Sequence, residues 1–158
     1  MKAFRFSLDR VRGFKSQILD KEKKVLGVLI KNRDEILSKI DEIERHRLAL
    51  SHEAENKQKE GVSISELTSY NYLIENARAQ LKQLEIKLNK AEEELEAQRQ
   101  VVLTIYQEKT GMDKLEERQV QEYQLLAAKD TENEIMQVIS NKMSDGGAAS
   151  GAQGDSVL

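Results

Sequence analysis

The chain has 158 residues, of which 34% are charged and only 4% are aromatic, and it contains no Trp, Cys or Pro. So few aromatic side chains argue against a conventional globular core of this length. The lack of Cys excludes disulfides, zinc–thiolate sites and thiol nucleophiles. The formal net charge of −3 gives no general attraction for nucleic acid, so we expect no nucleic-acid partner. This composition is typical of a long helix or coiled coil followed by a loose tail.

The N-terminal segment holds all three phenylalanines of the chain among basic residues. These residues are Phe4, Phe6 and Phe14, interspersed with Lys2, Arg5, Arg10, Arg12 and Lys15. Three interpretations compete: the packed end of a coiled coil, a basic amphipathic helix on a membrane or anionic partner, and a mitochondrial transit peptide. We favour a partner contact that also packs the hairpin end, because exposed aromatics and Arg are common interface anchors. The segment lacks the apolar stretch of a secretory signal, and no apolar run approaches the roughly 20 residues that span a bilayer.

The first predicted helix covers about residues 5–58 and carries a heptad seam, meaning the positions that face a partner helix in a coiled coil. Its first part runs through Leu8, Val11, Ile18, Val25 and Leu29, with Lys15 and Glu22 at intervening positions. Its second part runs through Ile36, Ile40, Ile43, Arg47, Leu50 and Ala54. Joining the two parts requires a 4-4-3 step through Arg33, which predicts a stutter that locally unwinds the supercoil.

A hinge at about residues 59–63 separates this helix from the next. Gly61 can adopt the left-handed backbone that ends a helix, and Ser63 with Glu66 forms the capping-box pattern that begins one. We therefore predict an antiparallel hairpin with its tip near Gly61. Folding about Gly61 sets Phe4 opposite Arg118, so the part of the second helix beyond Arg118 has no partner within the hairpin.

The second predicted helix covers about residues 64–142 and has the clearer seam. Its twelve seam positions are Leu67, Tyr70, Ile74, Ala77, Leu81, Leu84, Leu88, Ala91, Leu95, Gln98, Val102 and Ile105. Eleven of them are apolar or aromatic over six heptads, which predicts a coiled coil. The sequence therefore predicts an all-α protein: a long two-helix antiparallel coiled-coil hairpin with unequal arms over residues 1–143, and a flexible, disordered C-terminal tail over residues 144–158.

The opposite charges of the two halves favour this hairpin. Residues 1–60 carry 15 basic and 11 acidic side chains, whereas residues 61–143 carry 10 basic and 15 acidic ones. Charges beside a coiled-coil seam set the pairing orientation, so two halves of opposite sign suit a chain that folds back on itself.

Catalytic chemistry has few candidates in this sequence. His46 and His52 lie six residues apart and do not share a helix face, and His52 lacks the second His of a metalloprotease helix motif. No glycine-rich phosphate loop occurs, and the carboxylates lie on predicted surfaces with no pocket to shift their pKa values. We therefore predict a non-enzymatic protein with no catalytic residues, no cofactor and no metal site.

Three sequence stretches carry a resemblance to a known family. They are the start Phe4-x-Phe6-x-Leu8-x-x-Val11, the segment Tyr70-Asn71-Tyr72-Leu73 after the hinge, and Lys114-Leu115-Glu116-Glu117-Arg118 followed by Tyr123. In this order and spacing, over residues 4 to about 139, the chain resembles the FliJ family of flagellar type III export proteins. The resemblance implies a coiled coil like the rotor stalk of rotary ATPases, in the bacterial cytoplasm and peripheral to the cell membrane at the flagellar base.

The resemblance also implies partners. They are the hexameric flagellar export ATPase, the cytoplasmic domain of the membrane export gate, and export chaperones. For the ATPase contact we expect residues at the open end of the hairpin: Phe4, Arg5, Phe6, Leu115, Arg118 and Tyr123. For the export gate we expect residues towards the tip: Ile43, His46, Leu50, Tyr72, Leu73 and Ala77. Ile43, Leu50 and Ala77 are also ordinary seam positions, so coiled-coil packing is the simpler explanation for these three.

Two other functions stay open from the sequence. A generic coiled-coil scaffold predicts extended homo-oligomers, because the same seam can pair with another chain. A membrane-surface adaptor predicts binding through the basic N-terminal segment.

Overall fold

The computed structural model describes residues 2–149, and the side chains of residues 2–147. Two α-helices, α1 (Asp9–Glu60, 52 residues) and α2 (Ile64–Ala149, 86 residues), account for most of this part of the chain, which contains no strand. The all-α two-helix hairpin with unequal arms is therefore confirmed. The chain divides into two compact units: a tip unit, Phe14–Glu108, and a terminal unit made of residues 2–13 with the part of α2 that begins at Lys109. The predicted single hairpin domain over residues 1–143 stays a prediction.

The helix ends differ from the sequence prediction in two places. α1 begins at Asp9 and not near residue 5, because a turn precedes it in which the Asp9 amide donates to the Phe6 carbonyl at 3.3 Å. Asp9 then places a negative charge in the first helical turn, where the helix dipole favours it. α2 continues to Ala149, so the first residues of the predicted tail are helical, because extending an existing helix needs no new nucleation and no Pro stops it. The rest of the predicted tail, residues 150–158, lies outside the described residues.

The tip unit confirms the predicted seam of α2. All twelve positions, from Leu67 to Ile105, are buried or half-buried, and every other side chain between Ile64 and Glu108 is exposed. Leu95 is completely buried, and the small Ala77 and Ala91 are 4% and 5% exposed. The 3–4 spacing of apolar residues alone was enough to identify this face, because only one face of the helix carries it.

The seam of α1 differs from the prediction. One unbroken heptad register of buried and half-buried positions runs through α1 in the tip unit: Lys15, Leu19, Glu22, Leu26, Leu29, Arg33, Ile36, Ile40, Ile43, Arg47, Leu50 and Ala54. Beside this register, Ser16, Ile18, Ile30, Glu44 and Ser51 are also half-buried. The predicted stutter is therefore wrong. Leu19 and Leu26 replace Ile18 and Val25 as seam residues, and Val25 is 40% exposed. Both residues at 18 and 19, and at 25 and 26, are apolar, so the sequence fits either register. The structure adopts the one that reaches Leu29 and Arg33 with unbroken spacings of three and four residues.

Two polar seam residues of α1 in the tip unit, Lys15 and Glu22, contact side chains of α2 across the hairpin. The side-chain amide of Gln98, the one polar seam residue of α2 in this unit, donates to the Glu22 carboxylate at 2.5 Å and to the Glu22 backbone carbonyl at 3.1 Å. Lys15 forms an ion pair with Glu108. Because a polar layer is satisfied in only one alignment, these contacts help set the antiparallel register.

The connection between the helices has the backbone that its sequence predicts. Gly61 has φ +92°, the left-handed region that favours glycine. The Ser63 hydroxyl oxygen accepts a hydrogen bond from the Glu66 amide at 3.2 Å and so caps the first turn of α2. Near the tip, the Lys57 ammonium lies 5.6 Å from the centre of the Tyr70 ring. The Tyr70 hydroxyl beside it raises the pKa of Lys57.

Candidate functional site

The first residues of the chain are held against α2 by aromatic contacts. The rings of Phe4 and Tyr123 lie 5.7 Å apart between their centres, and the Tyr123 hydroxyl donates to the Lys2 carbonyl at 2.7 Å. Phe6 is only 8% exposed, and the Arg12 guanidinium lies 5.1 Å from the centre of its ring. We call Phe4, Phe6, Arg12, Glu116 and Tyr123 the terminal cluster. It fixes a non-helical segment that would otherwise be free to move.

Arg12 is the charged centre of the terminal cluster. Its guanidinium pairs with Asp9 at 2.7 Å, with Asp113 at 3.3 Å, and with Glu116. The hydrogen bond to Glu116 is the main cause that raises the pKa of Arg12, and the bond to Asp9 is the next. Three carboxylates around one cation neutralise its charge. The ion pairs of Arg12 therefore link α1 to α2 in this unit.

The remaining positive charge of the N-terminal segment is carried by Arg5 and Arg10. Both side chains are exposed, and neither forms an ion pair with a described residue. Together with Phe4, Phe6, Asp9 and Glu116 they line a shallow groove on the terminal unit. The geometry therefore offers a fixed aromatic and cationic surface, which suits contact with a partner that presents carboxylates beside an apolar area.

Not all residues expected at the ATPase contact are brought together. Phe4, Phe6 and Tyr123 belong to the terminal cluster, and Arg5 lies between the two phenylalanines. Leu115 is half-buried. Arg118 is exposed, and its spacing from the seam positions Glu116 and Gln119 places it on the outer face of α2.

The pairing of Phe4 corrects the predicted alignment. Phe4 meets Tyr123 and not Arg118, an offset of five residues. Within the tip unit the cross-helix contacts stay close to the predicted centre at Gly61: their midpoints run from residue 60 for Glu22 with Gln98 to between Ser63 and Ile64 for Lys57 with Tyr70. The offset of Phe4 arises in the N-terminal segment, because the residues before Asp9 are not helical and advance further per residue than a helix does.

The residues expected at the export gate fall into two groups in the tip unit. Leu50 and Ala77 are 8% and 4% exposed, and Ile43 is half-buried, so these three pack within the seam. His46 is exposed, Leu73 is 43% exposed and Tyr72 is 71% exposed. The second group is therefore the part of the expected set that a partner can reach without separating the helices.

The ion pairs around Arg12 were not predicted from the sequence. In the sequence, Glu116 stands out only as part of the Lys114–Arg118 stretch, and Arg12 only as part of a basic segment. The sequence does contain a pattern that indicates this pairing, because Arg12 and Glu116 occupy heptad positions in their own helices and carry opposite charges. The pattern is recognisable only in the correct register of α1, which places Arg12 on the seam and leaves Val11 42% exposed.

Two kinds of feature are absent from the part of the chain that the structure describes. No cluster of three or more His, Cys, Asp or Glu side chains is arranged to hold a metal ion there. Neither helix contains a stretch apolar and long enough to cross a membrane.

The comparisons with known proteins point to one family. A family model described as Flagellar FliJ protein matches residues 4–135. The match includes the N-terminal segment, all of α1 and α2 as far as Ile135. No curated protein and no solved structure matches the chain.

Proposed function

Because the family match covers most of its length, this chain belongs to the FliJ family of flagellar proteins, and we propose that it links two partners within the export apparatus. Membership makes the chain a component of the flagellar export apparatus. In the proposal it is a non-enzymatic connector, similar to the rotor stalk of rotary ATPases. It binds the hexameric export ATPase through the terminal unit and the cytoplasmic domain of the membrane export gate through the tip unit.

The proposed ATPase contact is supported by one observation: Arg5 and Phe4 are held in a fixed position on the terminal unit. The buried Phe6 ring and the Tyr123 hydroxyl hold the segment on either side of these residues. A preordered segment loses little conformational entropy when it binds, which favours a specific contact. Leu115 and Arg118 extend the proposed contact along α2, with Arg118 on the outer face.

The test of the ATPase contact is ATP hydrolysis by the hexameric export ATPase with increasing amounts of the purified full chain. We expect stimulation, and we expect Arg5→Glu to raise the half-maximal concentration at least about tenfold, since interface arginines often carry more than ~1 kcal/mol. Lys82→Glu is the matched control, because it reverses one exposed charge in the tip unit. An absence of stimulation by the wild type, or equal losses for both variants, would contradict the proposal.

The proposed gate contact consists of the exposed tip residues Tyr72, Leu73 and His46. The proposed site also includes three packed seam residues, which hold the two helices together below the exposed ones: Ile43, Leu50 and Ala77. We expect Tyr72→Ala with Leu73→Ala to weaken binding of the purified gate domain at least about tenfold in calorimetric titration. Ile86→Ala is the matched control, because Ile86 is 66% exposed on the same helix. A double variant that binds as well as this control would refute the assignment.

We further propose that the chain handles export chaperones and is located on the cytoplasmic side of the membrane at the flagellar base. The membrane-surface alternative has less of the N-terminal segment available, because Phe6 is buried and Arg12 is neutralised by three carboxylates. Binding to anionic vesicles that Arg5→Glu and Arg10→Glu abolish, without any ATPase stimulation, would favour that alternative.

A further inference from the structure

The C-terminal part of α2 carries apolar side chains that the proposed function does not use. From Gln124 to Gly147 every side chain is exposed except half-buried Ala127. The exposed apolar residues of this stretch include Leu125, Leu126, Ile135, Met136, Val138, Ile139 and Met143, each at least 50% exposed. Such a concentration at one end of a helix marks a surface for association.

These residues contain a second heptad pattern. Ala128, Glu132, Ile135, Ile139, Lys142 and Gly146 follow each other at spacings of four, three, four, three and four along one face. Tyr123 contacts Phe4 and Lys2 of the N-terminal segment, and this face begins five residues further on, after half-buried Ala127. A face with this spacing packs against another helix, with side chains of one helix in the gaps of the other.

The charges on this face show which helix fits it. Glu132 lies three residues before Ile135, and Lys142 lies three residues after Ile139. Neither forms an ion pair with any residue that the structure describes. When two copies of the face are laid antiparallel with Ile135 against Ile139, Glu132 of each copy meets Lys142 of the other. Ala128 then meets Gly146, two small residues that let the helices approach closely.

We propose that residues 125–149 form an antiparallel coiled coil with the same segment of a second copy of this chain, about a twofold axis at Gln137. Ile135 and Ile139 form the core of this dimer. Met136 and Val138 flank the axis, and two Glu132–Lys142 pairs close the ends.

Other alignments of two copies satisfy fewer groups. A parallel pair in register sets Glu132 against Glu132 and Lys142 against Lys142, which places like charges together. Shifting the antiparallel pair by one heptad sets Ile135 against Glu132 in one direction and Ile139 against Lys142 in the other. Charge complementarity therefore favours one alignment. This dimer leaves Tyr123 and the rest of the terminal cluster outside the paired residues, so it is compatible with the proposed ATPase contact.

The first test is sedimentation equilibrium of the full chain at concentrations up to about 100 µM, where a dissociation constant in the micromolar range is measurable. We expect a monomer–dimer equilibrium in the wild type. Glu132→Lys and Lys142→Glu should each raise the dissociation constant at least about tenfold, and the double variant should return to within about threefold of the wild type, because the pair is restored with its signs exchanged. Asp130→Lys, on the opposite face of α2, is the control and should leave the dissociation constant unchanged.

The second test fixes the orientation of the two copies. The chain has no Cys, so single cysteines are clean probes. A mixture of Ala128→Cys and Gly146→Cys chains should form the mixed disulfide in preference to either self-disulfide. A preference for self-disulfides would show a parallel pair and overturn the proposal. A monomer at every concentration, or a double charge variant that fails to restore the dimer while keeping the helix content of the wild type, would also overturn it.

Discussion

Truncation of Leu95 tests the coiled-coil core of the tip unit. Leu95 is the one described side chain above alanine size that is completely buried, and it occupies a seam position between the small Ala91 and the polar Gln98. With small or polar neighbours on its own seam, it supplies most of the apolar contact in this stretch. We therefore expect Leu95→Ala to be among the most destabilising single truncations in the tip unit.

The magnitude follows from the burial of this side chain. Leu→Ala removes about three methylene equivalents, or roughly 2.4 kcal/mol at ~0.8 kcal/mol each. A cavity that cannot collapse would raise the cost towards about 5 kcal/mol. A two-helix seam is open along both flanks, so the helices can partly close the gap, and the higher helix propensity of Ala offsets a few tenths. We expect a loss of about 2–3 kcal/mol in the free energy of unfolding.

The assay is urea denaturation of the full chain followed by circular dichroism at the helix band. Leu103→Ala is the matched control, because Leu103 lies on the same helix and is already 46% exposed. Its loss should stay below about 1 kcal/mol. Equal losses for the two variants, or a loss below about 1 kcal/mol for Leu95→Ala, would refute the assignment of this seam as the core.

Three further predictions concern the backbone, the cap and a surface ion pair. Gly61→Ala should lower the free energy of unfolding by about 1 kcal/mol in urea denaturation, because the φ of Gly61 is +92°. Gly27→Ala should raise the free energy of unfolding, because Gly27 lies inside a helix and a Cβ there meets nothing within 4 Å; equal changes for the two variants would contradict the left-handed turn. Ser63→Ala should cost about 0.5–2 kcal/mol in urea denaturation through loss of the cap of α2, and an unchanged midpoint would contradict that role. The hydrogen bond from Arg47 lowers the pKa of Glu44 below its usual 4.5, so the Glu44 carboxylate stabilises the fold above pH 4.5 and loses this effect as the pH falls through the lower folded value. The stability difference between wild type and Glu44→Gln should therefore disappear on acidification, and a difference that grows would contradict the pairing.

The two seams were not equally predictable from the sequence. In α2 only one face carries an unbroken 3–4 spacing of apolar residues, so the twelve positions between Leu67 and Ile105 follow from spacing alone. In α1 adjacent apolar pairs such as Ile18 and Leu19 fit two registers, and the sequence prediction chose the one that kept Arg12 off the seam. An arginine can occupy a seam when its stem covers apolar surface and its guanidinium reaches carboxylates, as Arg12 does.

The candidate site was predictable in composition and not in geometry. The concentration of Phe4, Arg5 and Phe6 at one end, and of Tyr72 and Leu73 near the other, is visible in the sequence. Which of them a partner can reach depends on packing, because neighbouring side chains point in different directions both in a helix and in an extended segment. The Phe6 side chain is buried and holds the segment in place, whereas the Arg5 side chain is exposed.

By itself, the sequence determined the fold class, the turn at Gly61 and the family, because these depend on local patterns: the absence of proline, heptad spacing, a left-handed glycine and short motifs. Only the tertiary structure decided the register of α1, the meeting of Phe4 with Tyr123, and the neutralisation of Arg12. These features depend on how side chains of one helix enter the gaps of the other. The energy of that fit is shared between residues about a hundred positions apart in the chain, so no local stretch of sequence contains it.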